Sequence, residues 1–434
     1  MSEIAAEYLS AQARRRNAVT LLFFLLAALA FLLRTVISPQ LMNMVVSYST
    51  PGGSFPEKLH IGTYAIFLVL AAILATRPIR LEGDEIRLFS ATLLYAALFL
   101  LLLPYLAVMG LAGSAGFLID AYLAACAAAM IMLFLGEDVR RALGNVMLGM
   151  LVLSAVIGTV EAATRHRLFP YPIAELQFRP IGLTYHPLAL GAFSATAIGF
   201  VVLTRWSVWV RALCIAILFV GTAASGARAA LLLAAGEILL LIVLLPWPGL
   251  SARHQRQAKL VTLLITLGAG AALIAVLFSA GLLNRFSNTL FDQNYDARVK
   301  IYDIFQYVSW KDILLGMDAN ETMRILNEKL HLPFIESTPV SLTLLFGFPI
   351  ALLLAVTFFW FIFQLLRQAP LAAWIATAIS LAAALSNNAL SSKSPDVLLL
   401  VILLLAYRNP APPAGQAGMA ATRRGSDRPR AAGR

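Results

Sequence analysis

Apolar runs of roughly 18–22 residues recur along the whole chain and are separated by shorter polar stretches. A helical run of this length matches the hydrocarbon thickness of a lipid bilayer. The pattern therefore predicts about twelve transmembrane helices. Their approximate limits are 18–37, 61–76, 89–110, 116–136, 142–162, 187–204, 211–225, 229–246, 260–281, 340–365, 371–386 and 395–407. The predicted fold class is an all-α polytopic membrane protein.

One segment, residues 284–339, interrupts the apolar pattern. Charged, amide and aromatic residues return throughout it, and it closes on the sequence FIESTP. Its first amphipathic pattern runs through Val299, Tyr302, Ile304 or Phe305, and Val308 at helical spacing. Further on, Asp318 and Glu321 have the spacing of a capping box, which predicts the start of a second helix. We therefore expect one large, partly helical loop over residues 282–339.

The composition supports a membrane protein and argues against several other classes. The chain has 434 residues, of which 60% are hydrophobic and 13% charged, and its mean hydropathy is +0.82. A soluble protein of this size has a less apolar composition. The net charge of +11 falls mostly in short loops and at the two ends, which encodes orientation rather than nucleic-acid binding. Both cysteines, Cys126 and Cys214, lie inside apolar runs and are expected to be buried rather than disulfide-bonded.

Basic residues concentrate in every second loop, and this bias sets the expected orientation. With a cytoplasmic N-terminus, each loop that must be cytoplasmic carries arginine or lysine, and an even number of spans returns the C-terminus to that side. The predicted parts are a cytoplasmic N-terminal segment (1–17), spans one to nine (18–281), a large loop (282–339), spans ten to twelve (340–407) and a disordered cytoplasmic tail (408–434). In a bacterium the protein would lie in the inner membrane, with the large loop in the periplasm.

Three arginines lie on the predicted outer side, where the orientation bias disfavours them. Arg179 is in QFRPIGLTYHP, Arg228 is in SGAR and Arg298 is in YDARVKIYDIF. The planar fork of arginine binds phosphate bidentately and stays charged at any relevant pH. Three converging arginines would suit a pyrophosphate at the membrane surface. The alternative for each is an interfacial or ion-paired side chain with no role in binding.

Four further residues are candidates for the same outer face. His186, in TYHP at the start of span six, can act as a base or a hydrogen-bond donor, with a satisfied structural donor at the helix start as the alternative. Glu336, in FIESTP, is a candidate general base, with a helix-start carboxylate as the alternative. Tyr185 and Tyr302 can pack against sugar rings, although tyrosine is also the ordinary residue of the membrane interface.

Other carboxylates fall within the predicted spans. Glu237 lies well inside span eight, so it must face the bundle and find a partner, and it can serve there as structural glue. Asp120 and Glu161 lie near the outer ends of their spans and are expected to line one cavity. The sequence contains no metal-ligand cluster, no glycine-rich phosphate loop and no Ser-His-Asp arrangement, so we expect neither a metal nor a cofactor.

Three motifs occur in an order that resembles the O-antigen ligase and polysaccharide polymerase superfamily. They are RPIGLTYHPLALG, SGARAALL, and DARVKIYDIF followed by KDILLGMD, and the resemblance extends over about residues 175–350. The chain departs from the pattern at two places. Asp318 stands where a second glycine is expected, and Glu336-Ser337 stands where the ligases have His-Asn. The second departure favours a polymerase over a ligase.

The resemblance implies a GT-C-like membrane fold that transfers glycan from undecaprenyl pyrophosphate to an acceptor hydroxyl in the periplasm. The expected activity is metal-independent polymerisation of lipid-linked oligosaccharide repeats into an exopolysaccharide, with arginines binding the pyrophosphate and Glu336 or His186 accepting a proton. The expected partners are the lipid-linked oligosaccharide as donor and acceptor, membrane lipid, and other polysaccharide export proteins, with no nucleic acid. Two alternatives stay open: ligase-type transfer to lipid A core or protein, and a polysaccharide transporter or flippase.

Overall fold

A computed structural model describes residues 2–50, 52–172, 178–247, 250–279, 299–332 and 335–408. Every regular element over these ranges is a helix, and they contain no β-strand. The prediction of an all-α chain is therefore confirmed for the part of the protein that the structure describes. The helices of nine or more residues in these ranges, numbered in chain order, form α1 to α13.

The first helices are α1 Ser2–Val36, α2 Ile61–Thr76, α3 Asp84–Val108, α4 Ala115–Phe134, α5 Glu137–Thr164 and α6 Pro187–Val201. The remaining ones are α7 Val208–Ala224, α8 Arg228–Leu244, α9 Ala252–Ser279, α10 Thr338–Phe346, α11 Phe348–Leu366, α12 Leu371–Leu385 and α13 Asp396–Tyr407. Each predicted span coincides with a helix, except that Gly347 divides the tenth into α10 and α11.

Six helices over the described ranges are long and apolar enough to cross a membrane. They are α1 from Asn17 onward, α3, α4, α5, α9 up to Val276, and α11. Most of the others are also apolar but shorter, at 10–17 residues. The chain is therefore a helical protein of multi-pass membrane character. Twelve complete spans and a GT-C-like arrangement stay predictions.

The centre of the bundle is occupied by α13 and α6. All residues from Val397 to Tyr407 are buried, and all of α6 is buried except Leu188. Both helices are apolar on every face, which is typical of a helix surrounded by other helices. By contrast, no residue in the apolar part of α9 is buried inside the bundle. The helix α9 therefore lies at the periphery, where its apolar side chains suit contact with lipid.

The large loop is seated on the break between α10 and α11. Gly347 has a φ of 81°, and a Cβ there would lie 2.2 Å from the carbonyl oxygen of Leu314, in the short loop helix Trp310–Leu315. The N–H of Met317 donates to the carbonyl of Leu344 in α10 at 2.8 Å. The loop backbone can approach this closely only because glycine has no side chain.

This close approach predicts that Gly347→Ala destabilises the protein by about 2 kcal/mol or more, because both the positive φ and the contact with Leu314 oppose a Cβ. Gly149→Ala is the matched control, since Gly149 lies inside α5 and a Cβ there has no neighbour within 4 Å. Alanine favours a helix, so the control should be neutral or slightly stabilising. Thermal unfolding in detergent compares the two variants, and equal midpoints would refute the prediction.

Both helical predictions for the loop can be compared with the structure. Asp318 is the N-cap of a short helix, Ala319–Ile325. Its carboxylate accepts the N–H groups of the second and third residues of that helix, which confirms the predicted start. The earlier pattern is α-helical at residues 299–300 and continues as a 3₁₀ helix, Ile301–Gln306. Its three-residue period buries Ile301 and Ile304 and leaves Tyr302 54% exposed, so Tyr302 lies outside the buried face of this helix.

The two ends of α13 define the two ends of the bundle. Near its first residue, Asp396, lies the segment that carries Arg179, because the Tyr185 hydroxyl bonds the Asp396 carboxylate. Just beyond its last turn, Arg408 pairs with Asp84 at the start of α3. We call these the Arg179 end and the Arg408 end. The predicted orientation would place the Arg179 end in the periplasm.

Candidate functional site

The structure brings the Arg179 segment into direct contact with the SGAR turn. Arg179 Nε donates a hydrogen bond to the backbone carbonyl of Ser225 at 3.1 Å. Ser225 follows the last residue of α7, Gly226 turns the chain with a φ of 67°, and α8 begins at Arg228. The Ser225 hydroxyl tightens the turn, because it donates to a carbonyl in α7 and accepts the N–H two residues further on. The two segments predicted to share one face therefore meet.

Glu161 holds the segment that precedes α6. Its carboxylate is buried near the end of α5 and accepts the backbone N–H groups of Ile181 and Gly182, both at 2.8 Å. The other oxygen accepts the N–H of Leu168, also at 2.8 Å. Gly182 has a φ of 55°, and a Cβ there would lie 2.4 Å from the Ser154 carbonyl oxygen. A buried carboxylate that accepts three backbone N–H groups holds the two segments that carry these groups firmly against the end of α5.

Arg167 is a candidate that sequence reasoning missed. Its Nε and Nη2 both donate to the carbonyl oxygen of Arg179, at 2.9 and 2.8 Å. Its guanidinium also lies over the rings of Tyr171 and Phe178, at 4.6 and 4.7 Å from their centroids. Arg167 belongs to the same predicted outer loop as Arg179. Arginines are disfavoured on the outer side, so the argument that singled out Arg179 applies to Arg167 as well. We call Arg167, Arg179 and Arg228 the arginine cluster.

His186 is the N-cap of α6, with Pro187 as the first helical residue. Its Nδ1 accepts the N–H of Leu188 at 3.1 Å. A neutral imidazole that accepts at one nitrogen carries its proton on the other, so Nε2 is a donor here. Burial, and then the charge of Arg179, lower the pKa of His186 to about 3. Of the roles that the sequence left open, this geometry favours a hydrogen-bond donor over a base.

The neutral state of His186 predicts a loss of stability in mild acid. The unfolded chain binds a proton below the ordinary histidine pKa of 6.5, whereas the folded chain does so only near 3. Stability should therefore fall as the pH drops through this window, by at most about 1.4 kcal/mol per pH unit. His186→Asn keeps an N-cap acceptor but cannot titrate, so its unfolding midpoint should fall less steeply with acidification. Equal slopes for the two proteins in a thermal unfolding series would contradict this assignment.

Tyr185 is directed into the bundle. Its hydroxyl donates to the Asp396 carboxylate at 3.0 Å, and its ring lies near those of His186 and Phe193. Burial, together with the negative charge of Asp396, raises the pKa of the Tyr185 phenol well above its usual range, so the hydroxyl remains a donor. The bond joins the segment before α6 to the start of α13. Stacking of Tyr185 on a sugar stays a prediction.

The remaining predicted residues belong to the large loop. Glu336 is half-buried two residues before α10, and a buried serine follows it. Thr338, the first residue of α10, bonds the carbonyl of Asn387 through its N–H at 3.3 Å and its hydroxyl at 3.0 Å. The FIESTP segment is thereby fixed to the end of α12. Arg298 lies outside the described residues, so its convergence with the other arginines stays a prediction.

A second buried polar group at the Arg179 end is centred on Asp120. Its carboxylate accepts the Tyr48 hydroxyl at 2.8 Å and the His60 N–H at 3.0 and 3.2 Å. Arg34 Nη2 donates to the backbone carbonyls of Asp120 and Lys393, at 3.2 and 3.1 Å. Asp120 lies in a π turn of α4, an irregularity that is frequent at functional sites. Asp120 and the α5 carboxylate anchor separate loops, and the expectation that they line one cavity stays a prediction.

Glu237 is fully buried in α8 against a glycine of α6. A Cβ on Gly199 would lie 2.3 Å from Glu237 Oε1, so the glycine provides the space for the carboxyl group. The carboxylate lies against the backbone of Gly199. The sequence predicted that this group faces the bundle and has a partner. Its position in the bundle is confirmed, and the identity of its partner stays a prediction.

The side chains at the Arg179 end determine which reactions this end of the bundle can support. Within the described ranges, no group of three or more His, Cys, Asp or Glu side chains is placed to hold a metal ion. The sequence matches no family model and no curated protein. The arginine cluster, with its positive charge, together with the donor His186 and the half-buried Glu336, therefore provides the chemical basis for any function assigned to this end.

Proposed function

We propose that this protein is a membrane glycosyltransferase of the polysaccharide polymerase type. It would join undecaprenyl-pyrophosphate-linked oligosaccharide repeats into an exopolysaccharide. The observation that carries the proposal is the contact between Arg179 and the SGAR turn, which puts two arginine motifs together at one end of an apolar bundle. A lipid-linked pyrophosphate requires this combination of cationic forks and an adjacent lipid phase.

The reaction develops negative charge on the leaving group. The acceptor hydroxyl attacks the anomeric carbon of the donor sugar, the bond to pyrophosphate breaks, and the pyrophosphate departs with the electron pair. The guanidinium of Arg179 is oriented by its bond to Ser225, and its backbone is fixed by Arg167. Donors that are already oriented toward the developing charge stabilise the transition state without reorganisation.

The proton of the attacking hydroxyl needs an acceptor, and Glu336 is assigned this role. His186 is assigned the complementary role, because its Nδ1 is engaged with Leu188 and Nε2–H is left to donate to a phosphate or sugar oxygen. Since the donor lipid brings its own leaving group, the transfer requires neither a nucleotide site nor a metal. The peripheral helix α9 and the other long apolar helices suit a bilayer in which the undecaprenyl chain dissolves.

Reconstitution tests this proposal. Purified protein in liposomes is supplied with purified lipid-linked repeats and a metal chelator. The expected product is a ladder of longer glycans, with one undecaprenyl pyrophosphate released for each new bond. Repeats that move across the bilayer without new glycosidic bonds would instead indicate a transporter or flippase. Transfer only to added lipid A core or protein would indicate a ligase.

A further inference from the structure

The helix α11 carries an exposed apolar stripe along almost its whole length. The residues of the stripe follow one another at helical spacing and are 46–58% exposed: Phe348, Leu352, Val356, Phe359 and Phe363. The helix is also one of the six that are long and apolar enough to cross a membrane. An exposed apolar stripe of this length on such a helix suits contact with the acyl chains of lipid. The stripe therefore identifies the lipid-facing side of α11.

The two ends of α11 correspond to the two boundaries of the hydrocarbon layer. Its 19 residues span about 28 Å, close to the hydrocarbon thickness of about 30 Å. The charged residue Arg367 follows its last residue, and Phe348 is its first. The loop helix Trp310–Leu315 lies beside this first residue, because a Cβ on Gly347 would be 2.2 Å from the carbonyl oxygen of Leu314. The loop helix is therefore at the level where hydrocarbon meets the lipid headgroups.

The loop helix exposes apolar side chains of its own at this level. Trp310 is 79% exposed and Leu314 is 50% exposed. Residues four apart lie on the same face of a helix, so these two side chains form one apolar patch. Tyr307, shortly before the helix, is 48% exposed. Tryptophan and tyrosine are enriched at membrane–water interfaces, where an amphipathic ring meets both phases.

The polar residues of the loop helix suit the headgroup layer. Lys311 is exposed, and a lysine stem can lie on apolar surface while its ammonium group reaches the phosphates. Asp312 is held within the helix, because its backbone N–H donates to the Ser309 hydroxyl at 3.2 Å and its carboxylate accepts that hydroxyl at 2.6 Å. The loop helix thus combines an apolar face with polar groups that need not enter the hydrocarbon.

We propose that the loop helix Trp310–Leu315 lies in the membrane interface, with Trp310 and Leu314 inserted at the boundary of the hydrocarbon. The partner of this patch is phospholipid, because the patch lies next to Phe348, where the lipid-facing stripe of α11 begins. The helix thereby anchors the large loop to the membrane surface at the break between α10 and α11. The proposal uses none of the residues assigned to glycan transfer, so each of the two can fail without the other.

Tryptophan fluorescence of the full chain in phosphatidylcholine vesicles tests this proposal. Trp310→Phe keeps an aromatic ring but removes the fluorophore, so the spectrum of the wild type minus that of the variant isolates Trp310. Lipid brominated near the headgroup end of its acyl chains should quench most of this signal, and lipid brominated near the chain ends should quench it less. Trp360→Phe is the matched control. Trp360 lies about 18 Å along α11 from Phe348, so its signal should show the opposite order.

A Trp310 signal that neither brominated lipid quenches would overturn the proposal. Iodide in the aqueous phase then distinguishes the two ways of failing. Quenching by iodide would show that the patch faces water, and no quenching would show that protein covers it, from this chain or from a second copy.

A nitroxide probe gives an independent measurement of the same position. It is attached at Trp310→Cys in a chain whose native cysteines are replaced by Cys126→Ala and Cys214→Ala. Oxygen, which concentrates in lipid, should relax this probe more strongly than a water-soluble nickel chelate does. The order should reverse at Asn320→Cys, because Asn320 is exposed on the next short helix of the loop. A stronger effect of the nickel chelate at both positions would refute the insertion of Trp310.

Discussion

Replacing Arg179 by glutamine is expected to lower glycan polymerisation about 100-fold or more. One oriented donor to a developing oxyanion is typically worth about 3–4 kcal/mol of the reaction barrier, which corresponds to roughly 10²–10³ in rate. Arg179 is such a donor in the proposed mechanism, since Ser225 and Arg167 fix its orientation and its backbone. Polymer length on gels and the amount of single-repeat lipid-linked glycan measure the effect at equal protein level in the membrane.

A neighbouring arginine provides the control for this variant. Arg165 is exposed on the same loop, and its guanidinium lies 6.0 Å from the ring of Phe178. Arg165→Gln removes an equal charge from the same surface and should leave polymerisation within about twofold of wild type, because an exposed charge contributes little. Arg179→Lys should behave like the glutamine variant, because lysine lacks the bidentate fork. Normal polymer length with Arg179→Gln would refute the assigned role.

The second large effect is expected for Glu161→Ala, which should destabilise the protein by about 3–5 kcal/mol. The substitution leaves the N–H groups of Leu168, Ile181 and Gly182 without their acceptor in a buried position. Glu161→Gln should be intermediate, because one amide oxygen can still accept while the amide nitrogen opposes a backbone donor. Thermal or denaturant unfolding in detergent measures the change.

An exposed carboxylate serves as the matched control for Glu161. Glu328 binds Arg324 at 2.8 Å, and both side chains are 54% exposed. Such surface pairs contribute about 0–1 kcal/mol, so Glu328→Ala should change the free energy of unfolding by no more than that. If Glu161→Ala and Glu328→Ala proved equally mild, the three backbone hydrogen bonds to Glu161 would not anchor the loop. That outcome would also mean that Glu161 does not fix the position of the segment that carries Arg179.

The helix positions were largely predictable from the sequence, because a helix in lipid or in an apolar core must be apolar over its whole length. The predicted 61–76 coincides with α2, and the predicted 371–386 coincides with α12 to within one residue. The division of the tenth span was not predicted. It depends on the contact between Gly347 and Leu314, which are distant in sequence and meet only in the folded chain.

The candidate site was predictable only in outline. Topology was enough to place Arg179 and Arg228 on one face, because both lie in loops of the same predicted side. The acceptors of Arg179 and Arg167 are backbone carbonyls, which every residue possesses, so no sequence pattern identifies them. The partners of Asp120 were missed for a related reason, since Tyr48 and His60 come from a loop that has no recognisable motif.

The short length of α13 has a consequence for the depth of both polar ends. Its 12 residues span about 18 Å, whereas the hydrocarbon layer of a bilayer is about 30 Å thick. The surrounding α5, with 28 residues, spans about 42 Å. The central helix is therefore much shorter than its neighbour α5. A flat bilayer of ordinary thickness would therefore extend beyond both ends of α13, so the membrane would have to thin around the bundle, or Asp396 and Arg408 would lie below the level of the lipid headgroups.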